Sequence, residues 1–335
     1  MLTAIWRRYS RRAVWSYLAL CLLIAALIQF TGDRWWLSTV LLYGPRWVWA
    51  LPLLALVPLC LISQRVLLWP LAAAAALVAW PIMGWHFSSQ PQGTADRSDL
   101  RLLTYNIGGV GAKGLGNVKL ADLRWLVDFV KADIALFQEC NYNDEALRVV
   151  FPEYDVDSGF DACMVSRFLV TKVDRRDRED IHALHGAGVI DRFEMLSPRG
   201  PMSLLNLHLE TPRKGLELIF SDPLGMPAAV REVIALRRIE SRAARLWAMR
   251  AATPQIIVGD FNMPQESGIY QDFWSRFNNA LATCGRGYAF TKFTNHWGIR
   301  IDHVLLDPHW ECTQANVLGS LGGDHRPVFV SLRMR

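Results

Sequence analysis

The sequence predicts an α+β domain preceded by a membrane region, and three observations carry that expectation. The long apolar runs lie before residue 90, short β-patterned runs with two amphipathic helices follow residue 99, and polar residues recur at the ends of the apolar strands. The 335 residues suffice for one full-sized domain plus an appendage.

The membrane region is expected over residues 1–87. Ala13–Phe30 reads AVWSYLALCLLIAALIQF without a charge, close to the roughly 20 residues that cross a hydrocarbon core. A second run covers about 47–63 and a third about 66–87, with Gln64 and Arg65 between them as a tight turn. Trp36–Tyr43 is apolar but too short to cross, and reads as an interfacial lead-in. Trp35, Trp36, Trp47, Trp49 and Trp85 stand at the run ends, where indole rings favour the headgroup layer. The first run lacks a convincing small-x-small cleavage site, so it reads as a retained anchor. Arg7, Arg8, Arg11 and Arg12 precede it and favour a cytoplasmic N-terminus; three spans then carry the large domain across. The expectation is an integral protein of the inner or plasma membrane with an extracytoplasmic domain. Residues 88–98 (SSQPQGTADRS) read as a linker, and 99–335 as the domain.

The formal net charge of +5 belongs to the anchor: residues 1–96 hold seven basic and two acidic side chains, which leaves 29 of each for 97–335. A formally neutral domain makes nucleic acid a less favoured partner, because backbone phosphates are bound by surplus Lys and Arg. The favoured partners are a phosphoester substrate and the lipid bilayer. Cys21 and Cys60 fall in spans, whereas Cys140, Cys163, Cys284 and Cys312 allow three pairings or none, as buried free thiols.

Within the domain, strands are expected at 100–107, 134–139, 162–166, 189–195, 202–208, 255–259, 301–306 and 327–332, each short, apolar and bounded by turn or charged residues. Val118–Lys131 has apolar residues at helical spacing, as does Ala228–Met249, whose Arg231, Arg237, Arg238, Arg242 and Arg245 read as a solvated face partly offset by Glu232 and Glu240, with contact to an anionic membrane surface as the alternative.

Six polar positions interrupt this apolar pattern. Asn106 ends LRLLTYNI, Gln138 and Glu139 end IALFQE, and His208 lies in LLNLHLE. Asp260 and Asn262 follow QIIVG, Asp302 lies in IRIDHVLL, and Asp324 with His325 forms GGDHRP. Singly, each has a plain structural use as a cap, an Asx turn or a satisfied core histidine. Together they supply hard oxygen donors, two imidazoles and amides, the set that metal-assisted phosphoester hydrolysis needs.

On TYNI, QE, NLHLE, GDFN, IDHVLL and GDHRPV, in that order over about 100–335, the chain resembles the endonuclease/exonuclease/phosphatase superfamily, or deoxyribonuclease I-like fold. The resemblance implies a four-layer α/β sandwich with the site on loops at one edge, and Mg2+ or Mn2+ as cofactor. It also implies roles: Glu139 as the main metal ligand with Asn106 and Asp324 contributing, and Asp260 orienting or deprotonating the attacking water. Asn262 would hold a phosphoryl oxygen, His325 aligned by Asp302 would stabilise the transition state or act as acid/base, and His208 would donate to the phosphate. Gly323 stands where the family often has Ser. The carboxylate that pairs with the His208 equivalent in some nucleases has several candidates here: Asp144, Glu145, Glu153, Asp155, Asp157 and Asp161. His303 falls on the opposite strand face from Asp302 and is expected to pack. The leading function is a membrane-anchored phosphoesterase, with a membrane-tethered nuclease and a non-catalytic binding module as alternatives.

Overall fold

The computed structural model describes residues 2–86, 88, 99–108, 118–176, 188–251, 254–294 and 296–335. It divides into two units, Met1–His86 with Glu266–Gly268, and Phe87–Gln265 with Ile269–Arg335. Residues 89–98 of the expected linker lie outside the described residues.

The first unit is helical: α1 (Leu2–Ala26), α2 (Trp36–Tyr43), α3 (Leu51–Ser63) and α4 (Leu68–Leu77). Three helical stretches, Trp6–Arg34, Arg46–Ser63 and Arg65–Ile82, are long and apolar enough to cross a membrane. The third stops short of the expected residue 87, and the expected lead-in is α2. Val14, Cys21 and Ile28 recur every seven residues on the buried stripe of the first stretch, while Leu71, Ala74, Val78 and Ile82 form that of the third. Side chains off these stripes, such as Leu22, Ile62, Trp69 and Trp80, are exposed although apolar, the inverse of a soluble bundle.

The second unit has two six-stranded sheets. The first runs β13–β14–β1–β2–β4–β3 and the second β5–β6–β7–β8–β12–β9. Their strands are β1 (Leu100–Asn106), β2 (Ile134–Gln138), β3 (Asp155–Ser158), β4 (Ala162–Ser166), β5 (Leu169–Arg175), β6 (Val189–Ser197), β7 (Gly200–His208), β8 (Gln255–Asp260), β9 (Asn278–Asn279), β12 (Asp302–Leu306), β13 (Trp310–Val317) and β14 (Val328–Met334). A separate hairpin joins β10 (Lys292–Phe293) to β11 (Gly298–Ile299). Helices α5 (Leu120–Val130) and α6 (Asp144–Val150) follow β1 and β2, and a long helix, Met226–Ala248, precedes β8.

Strand alternation sorts the apolar side chains into layers. Leu102, Leu136, Met164, Phe193, Leu204, Ile256, Val258 and Val304 meet between the two sheets. Leu103, Tyr105 and Phe137 point the other way, onto Leu123, Leu126 and Val127 of α5. Leu205, Leu207, Ile257 and Leu305 back onto Ala244 and Ala248 of the long helix. The order is helix, sheet, sheet, helix, the expected four-layer sandwich. A one-residue slip in any inner strand would exchange its faces, so burial at about 1.5–3 kcal/mol per large side chain holds the register.

Strands β3, β5 and β13 were not expected from sequence; β3 and β5 are partly exposed and carry charges in place of an apolar alternation. Four domain cysteines pair as Cys140–Cys163 and Cys284–Cys312. The solvated reading of the long helix fails at Arg237, which is buried and donates to the carbonyl oxygens of Glu210 (3.1 Å) and Asn262 (2.7 Å).

Candidate active site

The inter-sheet layer turns from apolar to polar at one end. Asn106 follows Leu102 and Thr104 on the inward face of β1; His208 follows Leu204 and Asn206 on β7; Asp260 follows Ile256 and Val258 on β8. Register aligns them. His208 pairs with Asp260, which pairs with Asp302, so three site residues stand abreast on β7, β8 and β12. In the facing sheet Asn106 pairs with Gln138, next to Glu139. Beneath them Gln138 Nε2 donates to Thr104 Oγ1 (3.0 Å) and to Asn206 Oδ1 across the sheets (2.6 Å).

The turns after these strands have costly backbones. Glu139 and Asn262 both have φ of 52°, and Asp161 has 60°, left-handed values that non-glycine residues seldom adopt. Gly259 at φ 127° is required, because a Cβ would stand 2.0 Å from the Leu207 carbonyl oxygen. Gly323, where the resembled family often has Ser, has φ 72°.

Asn106 Nδ2 donates to Glu139 Oε1 and to Asp260 Oδ2, both at 3.0 Å, while its Oδ1 accepts from Gly108 N. As placed, Asn106 joins two carboxylates as a donor. Asp260 Oδ1 accepts from Asn262 N (2.8 Å), an Asx turn, and Asn262 Nδ2 donates to the Leu209 carbonyl (2.7 Å). His208 Nε2 lies 3.8 Å from both Glu139 Oε1 and Asp260 Oδ2, and its Nδ1 lies 3.3 Å from Asp161 Oδ2. Asp161 is therefore the carboxylate that the sequence left open among six candidates.

His325 Nδ1 is 3.0 Å and 3.1 Å from the two oxygens of Asp302, and its Nε2 is 3.6 Å from Asp260 Oδ2. Lys292, from the β10–β11 hairpin, places Nζ 2.8 Å from His325 Nε2 and 2.8 Å from Asp324 Oδ2. An ammonium only donates, so in this arrangement Nε2 accepts and Nδ1–H donates to Asp302; protonated, the ring donates from both nitrogens. Sequence reasoning did not find Lys292, because one lysine in FTKF has no distinguishing pattern. His303 packs as expected: its ring bridges Asn279 Nδ2 (3.0 Å) and the Met263 carbonyl (2.8 Å) on the outer face.

Burial and charge set the protonation equilibria. Burial pulls the His208 pKa down, but the Asp161 hydrogen bond and the charges of Asp260, Glu139 and Asp161 outweigh it and raise the value to about 9. His325 is likewise lowered by burial, raised by Asp302, lowered by Lys292 and raised by Asp260; the net direction is up. Asp260 is pushed up by burial and by Asp302, against the pull of His325, His208 and Lys292. Burial raises Asp324, and Lys292 with His325 more than reverses it.

A carboxylate raised by burial and by a second carboxylate, against three nearby cations, marks a site short of positive charge. Oxygens of Glu139 and Asp260 sharing one amide suit a hard divalent cation, which prefers carboxylate and water ligands. Asp260, Asp302 and His325 also offer ligand atoms within 4.8 Å of one another. The His325–Asp302 contact is already hydrogen-bond length, which makes the Glu139 side the better fit. All eight residues predicted from sequence gather at this end; Asp324 reaches it through Lys292 and His325.

A sequence model of the Endonuclease/Exonuclease/phosphatase family matches residues 103–325. A Bacteroides thetaiotaomicron endonuclease/exonuclease/phosphatase family protein superposes at TM-score 0.51 and 18% identity, over 73% of this chain and all of that one. Danio rerio TDP2 complexed with single-strand DNA product gives 0.52 and 13%, over 71% and 100%. The Neisseria 3′ phosphatase NExo, bound to product DNA hairpin, gives 0.51 and 16%, over 70% and 99%. No curated protein matches the chain in sequence.

Proposed function

Because the chain belongs to the Endonuclease/Exonuclease/phosphatase family, we propose that it is a membrane-anchored, divalent-metal-dependent phosphoesterase that hydrolyses its substrate by in-line attack of water. The observation that carries this reading is the row His208–Asp260–Asp302, faced by Asn106 and Glu139 and closed by His325. A bound divalent cation would supply Lewis-acid polarisation of the phosphoryl oxygen and charge neutralisation. Glu139 would hold it, beside Asp260, with Asn106 and Asp324 bounding the site.

The chain's own groups do the remaining work. Asp260, aligned by Asn106 and by Asn262 N, orients the attacking water and takes its proton; its raised pKa makes it a better base than an ordinary aspartate. Asn262 holds a phosphoryl oxygen, its backbone fixed by Arg237. His208, charged below about pH 9, donates to the phosphate. His325, steadied by Asp302, stabilises the charge that develops on the phosphoryl oxygens.

Three helices able to cross a membrane support an integral protein, and the two domain disulfides support an extracytoplasmic, oxidising location. The Asp161–His208 pair favours a second reading, a membrane-tethered nuclease, since that pairing accompanies the resemblance to nuclease members; the neutral charge of 97–335 weighs against it. The test assays the full chain in detergent micelles with magnesium or manganese on phosphomonoesters, phosphodiesters, phospholipids and plasmid DNA. Activity in one class identifies the substrate. A protein inactive on all, and no better than Asp260→Ala, leaves a binding module as the remaining reading.

A further inference from the structure

Lys292 belongs to none of the motifs, yet its backbone is fastened on two sides to catalytic strands. Phe293 N donates to the Asp324 carbonyl (2.7 Å) and Arg326 N to that of Thr291 (2.6 Å), which bridges Lys292 to His325. On the other side the buried Thr291 hydroxyl accepts from Ile301 N and Asp302 N, both at 3.0 Å. The hairpin thus ties the Asp302 segment to the Asp324–His325 segment with Lys292 between. Its ammonium spends two donors on His325 and Asp324, and the side chain remains 22% exposed, at the boundary between site and solvent.

Its partner His325 lies 3.6 Å from Asp260 and 3.0 Å from Asp302, Asp324 is at its own side, and Asp260 shares the Asn106 amide with Glu139. Such carboxylates repel a doubly charged phosphate more than a singly charged one, and an ammonium attracts it more by the same proportion. A monoester offers three non-bridging oxygens against two in a diester. On the phosphoesterase reading, we propose that Lys292 leaves His325 and Asp324 to bind a non-bridging phosphoryl oxygen directly, and so selects a phosphomonoester over a phosphodiester. As a compact point charge it needs no bidentate geometry to do so.

The test compares full-chain wild type, Lys292→Met and Lys292→Arg in magnesium-containing micelles. Substrates are p-nitrophenyl phosphate and bis(p-nitrophenyl) phosphate, at a pH where the monoester is doubly charged. Removing one positioned cation should cost about 100-fold in kcat/KM on the monoester, the lower end of what a lost transition-state donor costs, and only about tenfold on the diester. Lys292→Arg should restore most of the monoester preference. Inorganic phosphate should inhibit Lys292→Met about tenfold more weakly, as fits one lost charge contact. Equal losses on the two esters, or unchanged inhibition by phosphate, would overturn the assignment and leave Lys292 a positioning group for His325. If wild type cleaves neither ester, that result bears on the phosphoesterase reading, which falls only if phospholipids and plasmid DNA are left intact as well. The rise in thermal midpoint with phosphate then reads this inference: it should shrink in Lys292→Met, whose midpoint without phosphate reports its folding, and an undiminished rise overturns it.

Discussion

Replacing Asp302 by Asn separates the chemistry of the site from its stability. Both Asp302 oxygens lie within 3.1 Å of His325 Nδ1, and the same carboxylate raises the pKa of Asp260. A carboxylate so close to an imidazole is worth about one to three pKa units, or roughly 1.4–4 kcal/mol. If that charge steadies His325 in the transition state, Asp302→Asn loses about 10- to 1,000-fold in kcat with little change in KM. Stability should move the other way, because a buried like-charge repulsion with Asp260 disappears. The thermal midpoint should hold or rise, each ~1 kcal/mol being worth roughly 2–4 °C in a domain of this size. Steady-state kinetics and scanning calorimetry on the same preparation decide it. Unchanged kcat would refute the role given to the pair, and a midpoint that fell with the activity would show Asp302 to be a structural carboxylate.

Other consequences are open to measurement. Asp161→Asn should lower the His208 pKa from about 9 toward 6.5. Because the folded value is raised, the stability it contributes is complete below pH 6.5 and lost as pH rises through about 9; an NMR titration of metal-free protein unchanged by the substitution would contradict the pairing. Asp191 is raised from 3.8 to about 7, by burial first, with Arg175 opposing and Asp157 adding. Here the folded carboxyl holds its proton longer than the unfolded one, so stability falls as pH rises from 3.8 to about 7, by up to about 4 kcal/mol. Urea unfolding of Asp191→Asn at pH 5 and pH 8 should show that slope removed, and a persisting slope assigns it elsewhere. Replacing Cys140 and Cys163 by Ser opens a link across 23 residues and should cost about 3 kcal/mol of stability. It should also weaken magnesium binding, measured calorimetrically, since Cys140 adjoins Glu139; unaltered binding would show that Glu139 is held by other contacts.

The site was legible where a polar residue broke an apolar alternation, because Asn106, His208, Asp260 and Asp302 would be costly at strand ends without a use. Asp161 was not, since it sits in a left-handed turn amid five other acidic candidates and only tertiary pairing of β4 with β2 singles it out. Lys292 was hidden for a similar reason: its partners lie 32 and 33 residues away and its hairpin has two-residue strands. The α+β layering followed from short apolar runs in β1, β2, β7 and β8: β2 and β8 are buried along their length, and β1 and β7 along most of it. In β5, Lys172, Asp174 and Arg175 erase the alternation, because an edge strand is shaped by its one neighbour and by solvent. Arg237 looked solvated because helical spacing shows which side chains share a face, and says nothing of carbonyls waiting opposite.

The row His208–Asp260–Asp302 has an implication for how such a domain changes its substrate. Its members are spaced by the hydrogen-bonded separation of neighbouring strands, about 4.8 Å, a distance that mutation of side chains cannot adjust. The sheet is a ruler with fixed graduations. Adaptation to a larger or smaller leaving group must come from the parts that bound the row, the segments 140–162, 209–227 and 278–299. A chimera that exchanges those segments while keeping Asp161, Lys292 and the strands of the row would carry a foreign specificity on an unaltered reaction centre.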